Sequence, residues 1–273
     1  MPTVAFGPHR ISRLIAGSNT LNGGSHLSRF VNMQMKRYFT EETVQGFLAD
    51  CQTNGINTWQ GGPGNLPALD QYLAQGGVMH FISLAHDQDG PGPDLRDMCR
   101  RGVIAVAFHG EVTDRLFKDG RIEKAQDYLR KIRDAGMLAG VSTHIPDVVD
   151  SIESAGWELD FYMACVYERH RSRAQLKELL GYVPIPLREV YLEEDPPRMW
   201  KAIKNTGKTC LAFKILAAGR VCDRQEDVEE AFKQTFQNIK PSDAVIVGMY
   251  PEYENQIALN CSYVAKHSAV PVE

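Results

Sequence analysis

The chain of 273 residues contains no apolar run long enough to span a bilayer, which excludes a helical membrane protein and leaves no membrane partner to expect. Cysteine is sparse. Cys51, Cys99, Cys165, Cys210, Cys222 and Cys261 form no C-x-x-C pair, which excludes a zinc knuckle and a disulfide framework and fits a reducing compartment. The opening ten residues, from Met1 to Arg10, lack the apolar core of a secretory signal, so a cytoplasmic location is expected. An excess of positive charge is also missing. Thirty Lys and Arg face 34 Asp and Glu for a net charge of -4, and the densest basic patch is only Arg169-His-Arg-Ser-Arg173. No nucleic-acid partner is expected from such a balance.

No linker divides the chain. The Pro-rich stretches Gly90-Pro-Gly-Pro93 and Tyr182 to Pro197 read as connecting loops, so residues 1–273 are expected to form one domain. Hydrophobic residues at 43% and charged ones at 23% are ordinary for a globular protein. What is present is rhythm. After an opening hairpin (Val4 to Phe6, a turn at Gly7-Pro8, Arg10 to Ser12), short β-branched runs alternate with helix-period segments. The runs are Leu14–Gly17, Ile56–Trp59, His80–Ala85, Val103–Phe108, Leu138–Ser142, Phe161–Val166, Thr209–Lys214 and Ala244–Gly248. Amphipathic segments between them include Glu42–Gln52, Arg121–Ala135, Pro146–Ala155, Asp227–Ile239 and Tyr253–Lys266. Near-continuous apolar strands suit a parallel sheet covered by helices. Gly55, Gly136, Gly156 and Gly207 stand where a left-handed residue ends a helix before a strand. The pattern predicts an α/β fold, a single (β/α)₈ TIM barrel with a short N-terminal β-hairpin. A doubly wound sheet is the alternative, but Gly17-Ser-Asn-Thr-Leu-Asn-Gly-Gly24 is not the G-x-G-x-x-G turn it requires.

In such a barrel chemistry sits at the C-terminal ends of the strands. Residues just past the runs include Asn19, Gln60, His86, His109, Glu111, His144, Tyr167, Glu168, Lys214 and Tyr250. Three histidines close adjacent strands three, four and five, and Glu168 closes strand six. Imidazole and carboxylate together ligate Mn, Zn, Co, Ni or Fe, or act as acid and base near neutrality. His86, His109, His144 and Glu168 are therefore the expected metal ligands, with His109, Glu168, Tyr167 and Lys214 as catalytic candidates. The competing reading makes each histidine a hydrogen-bonded loop residue. Lys214 ends an apolar run, so it points either into the mouth, meeting an anionic oxygen, or along the helix side as a structural lysine. Arg220 lies where many barrels hold phosphate, or is a solvated loop arginine. Asn19, Gln60, Glu111, Arg220 and Tyr250 are the expected substrate contacts. Cys165 reads as a core thiol, Glu193-Glu-Asp195 as a solvated acidic face, and Gly61-Gly-Pro-Gly64 as a turn.

The hairpin, Ala49 to Thr58, Ile132 to His144, and Val247-Gly-Met-Tyr-Pro251 followed by Asn260 resemble the aldo-keto reductases, nearly end to end and in order. The resemblance implies a barrel with an Asp, Tyr, Lys and His tetrad around a nicotinamide. By motif the Asp position falls on Gln60, the Tyr on Asn65 and the Lys near Ala85 or His86; only the His matches, as His109. The family's Ser-Asn pair becomes Ser142-Thr143, its strand-six Gln becomes Met163, and its phosphate-holding basic residues become Glu252-Tyr-Glu254. NADP is accordingly not expected to bind tightly. The expected function is a non-redox barrel enzyme, a lyase, isomerase, epimerase or hydrolase acting on a small polar sugar-like or keto-sugar substrate, with a divalent metal or an acid/base pair. A divergent NAD(P)-dependent oxidoreductase and a non-catalytic binding subunit are the alternatives. Assembly into a homo-oligomer is compatible with each.

Overall fold

The computed structural model describes residues 1–268. Strands β1 (Thr3–Phe6) and β2 (His9–Ser12) form an antiparallel hairpin. Eight strands follow: β3 (Leu14–Gly17), β4 (Thr58–Gly61), β5 (His80–Ala85), β6 (Val103–Phe108), β7 (Leu138–Thr143), β8 (Phe161–Cys165), β9 (Thr209–Phe213) and β10 (Ala244–Gly248). They are all parallel and close into a barrel, with Leu14 of β3 opposite Val245 of β10. The helices are α1 (Arg29–Tyr38), α2 (Glu41–Thr53), α3 (Leu66–Ala74), α4 (Leu95–Arg100), α5 (Gly110–Lys118), α6 (Ala125–Asp134), α7 (Pro146–Ser154), α8 (Arg173–Leu180), α9 (Asp195–Asn205), α10 (Gln225–Asn238) and α11 (Gln256–His267). The expected (β/α)₈ barrel with its hairpin is the observed fold. No helix among the described residues is long and apolar enough to cross a membrane.

Side-chain parity sorts the strands into two layers. Ile82 and Leu84 of β5, Ala105 and Ala107 of β6, Phe161 and Met163 of β8, and Leu211 and Phe213 of β9 fill the barrel interior. Their alternates Phe81, Val106, Phe108, Tyr162, Ala164, Cys210 and Ala212 pack against the helix ring. The hairpin joins the inner layer, contributing Val4, Phe6 and Ile11, and Phe6 meets Phe161 edge-on at 5.0 Å. The hairpin therefore plugs the N-terminal end of the barrel. Beside it the Arg13 guanidinium donates to Asp243 O at 3.0 Å, Ser268 O at 2.7 Å and Lys240 O at 3.2 Å, and lies over the Phe236 ring.

Four elements begin two or more residues from where they are expected. β4 begins two residues later than Ile56, because the Asn57 side chain is taken by Ser12 N and Arg10 O instead of extending a strand. The segment from Arg121 opens with a 3₁₀ turn over Ile122–Lys124 before α6. α10 starts at Gln225, two residues earlier than expected, and α11 begins at Gln256, after Asn255 caps Ala258 N. Gly55, Gly136 and Gly156 adopt φ of 83°, 88° and 64°, whereas Gly207 is not left-handed, since Thr206 closes α9 in an extended conformation.

Candidate functional site

Parity and strand ends together build the mouth. His86, His109 and His144 continue the inward parity of β5, β6 and β7. The His86 and His109 rings meet edge-on at 5.7 Å, and each carries a buried Nδ1 without a hydrogen-bond partner. Burial, followed by the neighbouring His86, holds His109 below the ordinary histidine range. His109 also opens α5, accepting from Val112 N and Thr113 N through its carbonyl.

Helix α5 brings two carboxylates, Glu111 just past the end of β6 and Asp114 a turn further on. Asp114, 1% exposed, accepts from Thr143 Oγ1 at 2.6 Å, from His144 N at 3.2 Å and from His144 Nδ1 at 2.8 Å. Burial pushes the Asp114 carboxyl up to about 6 and keeps His144 neutral, so the imidazole Nδ1–H donates and Nε2 stays free. Gly110 permits this approach: a Cβ there would meet Ser142 Oγ at 2.9 Å and His144 Cε1 at 3.1 Å. The second carboxylate, Glu111, stands half-exposed at the rim. Its Oε1 lies 3.5 Å from His170 Nε2, and His170 packs edge-on against His144 at 4.8 Å.

Glu111, His144 and His170 each offer one donor atom, and the three lie within 4.8 Å of one another. This is the group among the described residues that could hold a metal ion. Of the expected ligands His86, His109, His144 and Glu168, only His144 belongs to this group. Glu168 faces away, accepting from Arg171 and Arg198. Tyr167 stacks edge-on against Tyr191 at 5.3 Å, outside the histidine cluster.

Beside the histidines opens a cavity of about 320 Å³, whose lining includes Asn19, His26, Gln60, Phe213, Lys214 and Tyr250. Phe213 connects the two, packing on His144 at 5.5 Å. By parity Lys214 would follow Cys210 and Ala212 toward the helices. It leaves β9 with φ of 59°, and this left-handed step turns the side chain into the cavity. Left-handed non-glycine residues gather around this cavity: His26 at 60°, Lys214 at 59°, Ala217 at 46° and Ala218 at 51°. Strain held in this way is characteristic of ligand-handling segments. Burial draws the Lys214 ammonium down to about 8.

Other expectations resolve differently. Arg220 lines a separate cavity with Tyr167; it donates to His26 O and covers the Tyr191 ring at 4.2 Å, so it is a loop clamp. The basic patch is neutralised from within: Arg169 pairs with Glu189 at 2.8 Å and Arg171 with Asp195. Asp195, expected on a solvated face, is 2% exposed. Cys165 is a buried thiol pushed up to about 12. Asp114, His170 and Glu189 escaped sequence reasoning. A carboxylate at the first or second turn of a helix following a histidine-ended strand was the available signal for Asp114.

No family model and no curated protein matches the chain. Among solved structures it is similar to aldo-keto reductase AKR11C1 from Bacillus halodurans, at 13% identity over 100% of this chain and 93% of that one, with a TM-score of 0.56. It is also similar to a truncated 3-deoxy-D-arabino-heptulosonate 7-phosphate synthase from Thermotoga maritima, at 10% identity over 97% and 90% of the two chains, with a TM-score of 0.53. The protein thus shares the (β/α)₈ barrel fold of both structures.

Proposed function

We propose that the protein is a non-redox barrel enzyme that moves a proton next to the carbonyl of a small, polar, sugar-like substrate. The observation that carries this reading is the Asp114–His144 pair, placed one aromatic ring away from a cavity that holds a desolvated lysine. Asp114 fixes the His144 tautomer, so Nε2 can accept a proton and return it. Lys214 meets the carbonyl end, where negative charge develops. Asn19, Gln60 and Tyr250 supply hydrogen bonds to hydroxyl groups from the cavity wall. Isomerase, epimerase and lyase reactions all begin with this proton transfer.

A second reading is favoured by the Glu111, His144 and His170 group. The residues fit a divalent ion: Asp114 braces His144 as carboxylates brace ligating histidines, and His170 Nε2 is a buried atom in need of a partner. Mn, Zn, Co, Ni or Fe bound there would supply Lewis-acid polarisation of a substrate oxygen.

Solvent deuterium incorporation, followed by NMR over a panel of ketoses and aldoses, tests the first reading. Exchange at the carbon beside the carbonyl is expected in the wild type and lost in His144→Ala; wild-type protein that exchanges nothing on any member ends the proposal. Elemental analysis tests the second, with stoichiometric metal expected in the wild type and lost in His170→Ala.

A further inference from the structure

A charged side chain deep in a protein is normally paired, because desolvating an ammonium without compensation is unfavourable. The described residues follow this rule at Arg13, Arg169 and Arg171. Lys214 departs from it. No hydrogen bond or ion pair to its Nζ occurs among the described residues, and what acts on it is distributed. Cys165 from β8, Glu189 from the loop after α8 and Glu111 from α5 favour its charge, while Arg169 opposes it. His26 and His144 lie close enough for the lysine charge to depress both. The left-handed step at Lys214 aims this unpaired amine into the cavity.

We propose that Lys214 Nζ is a nucleophile that captures the carbonyl carbon of a small hydroxylated aldehyde or ketone as an imine. The proposal rests on the carbonyl substrate of the preceding reading and assigns the lysine a covalent role. The Nζ lone pair forms the C–N bond as the carbonyl π pair moves to oxygen. One nitrogen proton passes to that oxygen by way of solvent, giving a carbinolamine. A proton taken from solvent lets the hydroxyl depart as water while the nitrogen pair closes the C=N bond, leaving an iminium that keeps the other nitrogen proton. One amine, one carbonyl and one proton give one iminium and one water, with no redox partner. The resulting iminium draws electrons from the adjacent carbon, which eases the removal of its proton.

An uncharged amine is required, and the surroundings of Lys214 provide one. With the ammonium drawn down to about 8, neutral amine at pH 7 is on the order of 10²-fold more abundant than for an exposed lysine. Desolvation of a lysine activates its amine for this chemistry, and burial is the largest cause of the shift here.

The experiment is reductive trapping. Protein is incubated with dihydroxyacetone, glycolaldehyde or glyceraldehyde, reduced with borohydride, and read by intact mass and peptide mapping. With at least one of the three, the expected result is one adduct per chain on Lys214. Its mass gain equals the carbonyl compound less one oxygen, and the adduct is absent from Lys214→Arg and Lys214→Met. Wild-type protein whose label is scattered over exposed lysines, or absent, with Lys214 unmodified in all three cases, overturns the proposal without reference to any variant. Lys214→Arg keeps the charge and removes the nucleophile, so full deuterium exchange in that variant also overturns the imine while leaving the acid–base reading standing. Trapping at Lys214 that persists in His144→Ala, where exchange is lost, supports the imine separately from proton transfer.

Discussion

At the floor of the barrel Arg13 is 4% exposed, and its three donor groups all end on carbonyls, with an aromatic ring beneath. At the mouth Lys214 has a cavity in front of it and no partner among the described residues. The same energetic problem, a cation removed from water, is solved at one end and left open at the other. The buried carboxylates repeat the contrast. Asp243 at the floor receives Cys210 N, Lys240 N and the Lys240 ammonium, which staples strand ends together. Asp114 at the mouth accepts from Thr143 Oγ1 and from His144 N and Nδ1, so it orients a histidine as well as tying α5 to β7. The paired cation joins chain segments, whereas the unpaired one is held ready for a ligand.

The sharpest way to break this comparison is to exchange each cation for methionine. Lys214→Met should lower turnover on the exchanging substrate on the order of 10²- to 10³-fold, with unfolding free energy changed by less than about 1 kcal/mol because no contact is lost. Arg13→Met should do the reverse, costing about 2–3 kcal/mol in urea unfolding as carbonyls lose their donors, with turnover per folded molecule unchanged. If the stability effects came out interchanged, the assignment of floor and mouth would fall. Asp114→Asn comes next: it keeps the shape and removes the charge behind His144, so activity should drop roughly 10- to 100-fold, with most of the loss in kcat.

The smallest effect is a pH slope. The Lys214 ammonium titrates at about 8 in the folded chain, against an ordinary value of 10.5. Between those values the unfolded chain holds the proton and the folded chain has released it, so stability from this group rises with pH. Wild type should gain on Lys214→Met across that window in paired urea titrations, by less than about 1 kcal/mol once solvent screening is counted. Parallel curves would show that Lys214 titrates normally.

Period and punctuation made the barrel legible. His80–Ala85, Val103–Phe108 and Ala244–Gly248 end where the apolar runs end, because a strand buried on both faces has no polar residue to blur its limits. The mouth was legible only as far as strand ends reach. His86, His109 and His144 carry that signal. Asp114 lies a helical turn further on, His170 lies in the connection before α8 and Glu189 in the one after it, and no periodicity describes the path of either. Direction was not legible at Glu168: adjacency to β8 does not reveal that Arg171 and Arg198 pair with it. Gln60 was expected beyond its strand and is within it, because Asn57 anchors the preceding residues to the hairpin.

The hairpin plug has a consequence for traffic. With Val4, Phe6 and Ile11 closing one end of the barrel and side chains filling its interior, the cavity at the mouth is a blind well. A molecule that reaches Lys214 must leave by the route it entered, so release of product and entry of the next substrate exclude each other. A polymer cannot thread through such a well. Only a free small molecule, or the terminus of a longer one, can present its reactive carbon at the bottom.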